Sequence, residues 1–219
     1  AAEAAWKWSV DYPAEYFQNP KGINTGGYGD RDYSSEFFWA AAELFITTGK
    51  EEYKNYVVEH LGDLNFKYGE NWRIFNKSFA YFSLACVDSQ LPEDKKELVK
   101  NEIIKTADNF LAGSEKIPYF IVIPEFHWGS NSDVADIAMM FAYAHYLTGE
   151  QKYLDAMTGY TDYLFGRNAT GFSFVTGVGS KQVMEIHHRT SGSDGIEEPV
   201  PGFLVGGPNQ YKQDTAVYP

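Results

Sequence analysis

Residues 173–189, SFVTGVGSKQVMEIHHR, concentrate the polar chemistry of this chain. A short apolar stretch, Phe172 to Val178, runs through Gly177 and Gly179 into a loop that closes on His187, His188 and Arg189. Imidazoles give short directional hydrogen bonds and guanidinium gives a rigid fork of donors, so such a loop forms a polar recognition surface. Zinc fits it poorly, because adjacent histidines rarely present both rings to one ion and no third ligand stands at helical spacing. The bland alternative is a loop whose His and Arg contact backbone carbonyls. Other chemistries lack their signatures: there is no GxSxG elbow, P-loop, dinucleotide fingerprint or CxxC pair. GVGSK (177–181) has the look of a phosphate loop without its glycine spacing.

Composition narrows the partner. Thirty acidic against eighteen basic residues give a formal charge of −12, which repels phosphate backbones and anionic membranes. A neutral polymer such as a polysaccharide meets no such repulsion. Sixteen Tyr, sixteen Phe and five Trp exceed what a helical domain requires, so most pack in the core and a minority are free to stack on sugars. Cys86 is the single cysteine, so no intrachain disulfide forms. No stretch of about 18 uncharged apolar residues appears, so no membrane span is expected. No signal peptide is visible; the first residues already read as helix, and the natural N-terminus is expected to lie upstream.

The elements that must position this loop are helical. Apolar periodicity predicts helices over 34–48, 51–61, 72–87, 93–111, 132–147 and 151–165, with a partial one over 1–9. Ser34 and Ser35 are expected to cap the first long helix, and Ser130 or Asn131 the fifth. Trp39 lies in an apolar stripe and is expected in the core. AAELFITTGKEEYKNYV, ending at Val57, has the same plan as FAYAHYLTGEQKYLDAM, ending at Met157. Each is an apolar helix, a Thr-Gly break and a second helix bearing a tyrosine. AYFSLACVDSQLPEDKKEL is a looser copy with Pro92 opening its second helix. Repeated αα-hairpins that bury one face against neighbours build solenoids or closed toroids. The chain thus reads as one all-α unit, helical hairpins over 1–165 and cleft-forming loops over 166–219.

The run 173–189, through Ser173, Val175, Thr176, Gly179, Lys181, His187 and Arg189, resembles a signature of glycoside hydrolase family nine, the endoglucanases. GRNATG (166–171), VGGPN (205–209), WGSN (128–131) and TGGYGD (25–30) extend the resemblance along nearly the whole chain. It implies an (α/α)6-barrel of twelve helices, of which the helices found here supply only part. A partial toroid leaves an apolar edge that further polypeptide or self-association must cover. The implied activity is endo-β-1,4-glucan hydrolysis with inversion, on cellulose or a related β-glucan, by a secreted, bacterial enzyme without a required cofactor. Inversion uses an aspartate that activates water and a glutamate roughly 6.5–9.5 Å away that protonates the leaving oxygen. The family's DxGD and Asn-Glu motifs for these two residues do not occur here, since Asn101-Glu102 belongs to a charged helix. The chain alone is therefore expected to be inactive, and a non-catalytic glucan-binding or scaffold piece is the alternative.

By the same resemblance, His187 and Arg189 hydrogen-bond the substrate and orient the catalytic carboxylates. Trp128 stacks on a glucosyl unit, and Tyr28 reaches the cleaved linkage. Trp72 is either a second platform or helix-end packing. Where many members read WGSLRY this chain has WGSNSD, which replaces an arginine and a tyrosine by Ser132 and Asp133. His127 beside them either contributes to that contact or, the stronger reading, is a structural loop histidine. Related enzymes hold calcium at the Tyr28 loop, where Asp30, Asp32 and Glu36 are the available ligands and the ammonium of Lys77 is a rival occupant.

Overall fold

Helix-forming stretches end at glycines and prolines, and the computed structural model follows that punctuation. It describes residues 1–13, 16–23, 32–62, 64, 74–123 and 125–212. Among these lie seven α-helices: α1 (Ala2–Asp11), α2 (Ser34–Thr48), α3 (Glu51–His60), α4 (Ile74–Cys86), α5 (Glu93–Ser114), α6 (Ser130–Thr148) and α7 (Gln151–Leu164). A 3-10 turn over Pro118–Phe120 separates α5 from α6. The described residues after α7 form turns and isolated bridges, as the change of pattern at Gly166 predicts.

Contacts divide the chain into two compact units, one holding α1–α4 and the first half of α5, the other the second half of α5, α6, α7 and the C-terminal loops. In the first, α2 packs on α3 and on α4. Phe38, Ala41, Ala42, Phe45, Tyr53, Val57, Tyr81 and Phe82 are buried there. In the second, α6 packs on α7. Val134, Ile137, Met140, Phe141, Tyr153, Tyr160 and Tyr163 fill that interior.

The sequence repeat is a structural repeat. Thr48 and Thr148 each return a hydroxyl hydrogen bond to the carbonyl four residues back, at 2.7 and 2.8 Å. Each also accepts the amide two residues ahead. Gly49 and Gly149 then close the helices in the left-handed region, at φ 67° and 71°. That conformation lets the chain reverse and a second helix begin two residues later. The tyrosines a hundred residues apart are anchored alike. Tyr53 donates to Glu3 on α1 at 3.2 Å, where Lys50 also pairs. Tyr153 donates to Asp108 on α5 at 2.8 Å, where Lys152 pairs at 3.0 Å. Each buried phenol so finds the acceptor it needs.

Four expectations change in detail. Ser34 and Ser35 lie inside the first turn of α2; Tyr33 occupies the cap position, and Asp32 Oδ1 accepts the Ser34 amide at 3.0 Å. Ser130 and Asn131 lie inside α6, which Gly129 caps, because their side chains are used on the loop that follows the signature run. Trp39 is only half-buried: its indole N–H donates to Glu43 at 3.0 Å and its ring meets Phe79 at 5.0 Å. The polar edge of an indole at a helix surface outweighs the apolar stripe around it. Helix α5 runs to Ser114, whose hydroxyl meets that of Tyr160 at 2.7 Å, so three residues past Leu111 are held by a tertiary contact invisible to periodicity.

Gly149→Ala forces a β-carbon into the left-handed region and should cost about 1 kcal/mol, with Gly149→Asn costing less. Urea unfolding of the three proteins, compared at a common m-value, reads the difference.

Candidate functional site

The WGSN and VGGPN segments, whose contacts join residues 74 and 78 positions apart, form one junction in the second unit. The Asn131 amide donates to the Gly206 carbonyl at 3.0 Å, and Asn131 Nδ2 donates to the Val205 carbonyl at 2.9 Å. Ser130 Oγ donates to the Pro208 carbonyl at 2.8 Å. The Gln210 amide donates to the Phe126 carbonyl at 2.7 Å. Tyr211 and Glu125 close the far side by a hydroxyl–carboxylate bond. Gly207 sits against Asn131 so closely that a β-carbon there would stand 2.4 Å from Asn131 Cγ. Its φ is 90° as well, so no side chain is admitted. Trp128 rises from this junction with 58% of its surface exposed. An indole so displayed on a pinned turn has a flat apolar face free to meet a ligand.

The signature run is fixed to the same returning segment. Thr176 is fully buried; its amide donates to the Phe203 carbonyl at 3.0 Å and its hydroxyl to the Val200 carbonyl at 2.7 Å. Phe174 receives the Val205 amide at 2.9 Å and donates its own to Leu164 at the end of α7. Upstream, Asn168 organises GRNATG: Nδ2 donates to the Tyr163 and Phe172 carbonyls, while Oδ1 accepts the Thr170 and Gly171 amides. Ser173, Thr176 and Asn168 therefore hold backbone together, and their place in the motif is architectural.

His188 is the anchor of the closing triplet. Its Nδ1 meets Ser191 Oγ at 2.9 Å, and its ring lies 4.7 Å from Phe203. His187 and Arg189 are exposed on either side. Among the described residues neither side chain has a hydrogen-bond or ion-pair partner. Two unspent donors beside a tied-down neighbour can bind hydroxyls of a ligand.

The structure pairs His127 on both ring nitrogens. Nδ1 lies 2.8 Å from the Trp128 carbonyl and Nε2 lies 2.7 Å from Asp133 Oδ2. Burial works to lower its pKa, but the Trp128 carbonyl, Asp133 and Glu125 outweigh it and hold the imidazole above its usual range. One turn along α6, burial together with the Asp133 charge pushes the Asp136 carboxyl up to about 7. A histidine and an aspartate six residues apart across a helix start carry no periodic signal, which is why spacing alone does not reveal the pair.

The N-terminal loop belongs to the first unit. Tyr28, Asp30 and Trp72 lie outside the described residues. Asp32 Oδ1 accepts the Ser34 amide, while the two Glu36 oxygens accept Ser35 Oγ at 2.9 Å and Asn76 Nδ2 at 2.7 Å. Lys77 Nζ stands 5.7 Å from the ring centres of both Phe38 and Tyr81. Among the described residues no group of three His, Cys, Asp or Glu could hold a metal. The described members of the implied calcium set, Asp32 and Glu36, thus bond within the protein, and its third member, Asp30, lies outside the described residues.

The model of glycosyl hydrolase family 9 matches residues 1–218. A xyloglucan-specific endo-β-1,4-glucanase of Bacteroides ovatus is 37% identical over 233 residues, covering 100% of this chain and 39% of that protein. A cellulose 1,4-β-cellobiosidase of Acetivibrio thermocellus is 34% identical over 245 residues, covering 99% of this chain and 27% of its own length. The chain therefore spans well under half of these curated relatives. Among solved structures, a Bacteroides ovatus GH9 protein aligns with TM-score 0.82 at 35% identity, over 95% of this chain and 40% of that one. A metagenome-derived glycoside hydrolase family 9 endoglucanase aligns with TM-score 0.84 at 30% identity, over 99% and 40%. The all-α hairpins described above are accordingly those of an (α/α)6-barrel.

Gly207→Ala should destabilise the protein by about 2–4 kcal/mol, the combined cost of overpacking and a strained φ. Pairing it with Asn131→Ala should recover part of that loss, because the clash is with the Asn131 side chain; thermal melts of the single and double variants check this.

Proposed function

Because the chain belongs to glycosyl hydrolase family 9, we propose that it forms the C-terminal part of the catalytic barrel of an endo-β-1,4-glucanase and supplies one side of its substrate cleft. The observation that carries this reading is Trp128, displayed on a turn pinned to the VGGPN loop, with the unpaired donors His187 and Arg189 on a run fixed to the same returning segment. Glucose offers an apolar face of axial C–H groups and a rim of equatorial hydroxyls. A flat indole suits the first, and imidazole and guanidinium suit the second. Trp128, Tyr28 and Trp72 are the aromatic contacts; His187 and Arg189 donate hydrogen bonds near the scissile linkage and orient the catalytic carboxylates.

The substrate is a neutral β-1,4-glucan, cellulose or a relative of it, in keeping with a net charge of −12. Hydrolysis with inversion uses an acid and a base carboxyl whose DxGD and Asn-Glu motifs do not occur in these 219 residues. We assign that pair to the remainder of the catalytic domain. A polymer of this kind cannot enter a cell, which places the work outside it. One apolar surface supports a role for further polypeptide. A groove of about 510 Å³ lies between α1 and α2, lined by Trp6, Trp8, Tyr12, Phe37 and Leu44. Trp8 and Tyr12 are 54% and 52% exposed beside it. Either the rest of the barrel or a second copy covers that face.

The chain on its own should bind cellohexaose in calorimetry and release no reducing sugar from carboxymethylcellulose. Trp128→Ala should weaken binding about tenfold, the worth of one stacked ring. Turnover by the chain alone, or unchanged affinity in the Trp128 variant, would refute the assignment of the site. A purely glucan-binding role gives the same first result, and differs in yielding no hydrolysis when the rest of the catalytic domain is added in trans.

A further inference from the structure

The His127 ring touches two groups that can only accept. The Trp128 carbonyl lies 2.8 Å from Nδ1, and the Asp133 carboxylate lies 2.7 Å from Nε2. A neutral imidazole carries one N–H and can satisfy one of them, leaving a lone pair aimed at an acceptor lone pair. Both contacts are made only by the imidazolium. The carbonyl so bound belongs to the very residue whose indole is exposed, and Asp133 stands in the first turn of α6, immediately after the Gly129 cap. The ring therefore bridges the backbone of Trp128 to the rigid helix behind it.

We propose that His127, held as an imidazolium between the Trp128 carbonyl and Asp133, is the positioning residue that fixes the Trp128 platform, so that glucan binding at this edge of the cleft is switched by one proton. This rests on the glucan-binding role of Trp128 given above. The groups that act on the ring are Asp133, from α6, and Glu125, from the preceding segment, itself bonded by Tyr211. Asp136, one turn further along α6, is pushed up to about 7 by burial and by the Asp133 charge.

The sign of the pH effect follows. A histidine whose folded pKa lies above its ordinary 6.5 contributes its contacts fully below that value. They are lost as pH rises through the raised folded value. Binding should thus be constant through mildly acidic pH and fall on the alkaline side.

The test is cellohexaose calorimetry on the full chain from pH 5 to 9, alongside 15N and indole 1H NMR of His127 and Trp128. Wild type should lose about tenfold in affinity across the step, equivalent to one charge-assisted hydrogen bond. His127→Ala should bind weakly at every pH with no step. Asp133→Asn should shift the step to lower pH, because the carboxylate that favours the charged ring is gone, and a merely structural histidine would show no such movement. Asp136→Asn should keep the step, which separates His127 from the other group titrating there. A step that survives in His127→Ala, or stays in place in Asp133→Asn, overturns the proposal. If the wild type binds no glucan at any pH, the functional reading fails by itself. The positioning claim is then decided by NMR: the Trp128 indole resonance must follow the His127 titration with a midpoint above 6.5. An indole signal indifferent to that titration, or a lower midpoint, refutes it.

Discussion

Gly207 and Asn131 meet at a distance that leaves room for one side chain, and the candidate site depends on that contact. The amide of Asn131 spans to Val205 while its backbone takes Gly206, so the loop after the signature run is drawn down onto the start of α6. Once that seam is closed, the rest is positioned from it. Trp128 precedes the seam by three residues, and Phe203, which packs on His188, precedes it on the other strand. Thr176 then ties the signature run to the same segment from behind. Hydrogen bonds to backbone dominate throughout, as expected where loops without sheet or helix must still satisfy their amides.

The helical bodies obey a simpler rule. A threonine that turns its hydroxyl back, a glycine in the left-handed region and a tyrosine seeking a carboxylate make the same corner twice, a hundred residues apart. Each corner holds two helices antiparallel with their apolar faces together. The acceptor of each tyrosine comes from the helix that precedes its hairpin, Glu3 of α1 or Asp108 of α5, so each hairpin is tied to that helix by a charge-assisted bond.

Much of this was readable from residue order. Apolar periodicity and Thr-Gly breaks located α2, α3, α6 and α7 to within two residues, because local sterics decide where a helix stops. The Trp-Gly-Ser-Asn, His-His-Arg and Gly-Gly-Pro-Asn segments pointed to the candidate site through the family resemblance that they carry. What periodicity could not show was use. Ser130 and Asn131 have the chemistry of caps, yet bond a segment some 75 residues away, a choice made by tertiary contact. Trp39 has the apolar neighbours of a core residue, yet keeps its N–H at the surface. His127 looked inert until Asp133 stood beside it.

The separation of these two kinds of contact has a kinetic corollary. The corners at Gly49 and Gly149 join residues a few positions apart, and such closures cost little chain entropy and form early. The seam from Asn131 to Val205 encloses 74 positions, so it must wait until α7 and the signature run have packed. Resting on a handful of backbone bonds between loops, it is expected to open at lower cost than the packed helices. The seam should part while the helices still give their full circular dichroism.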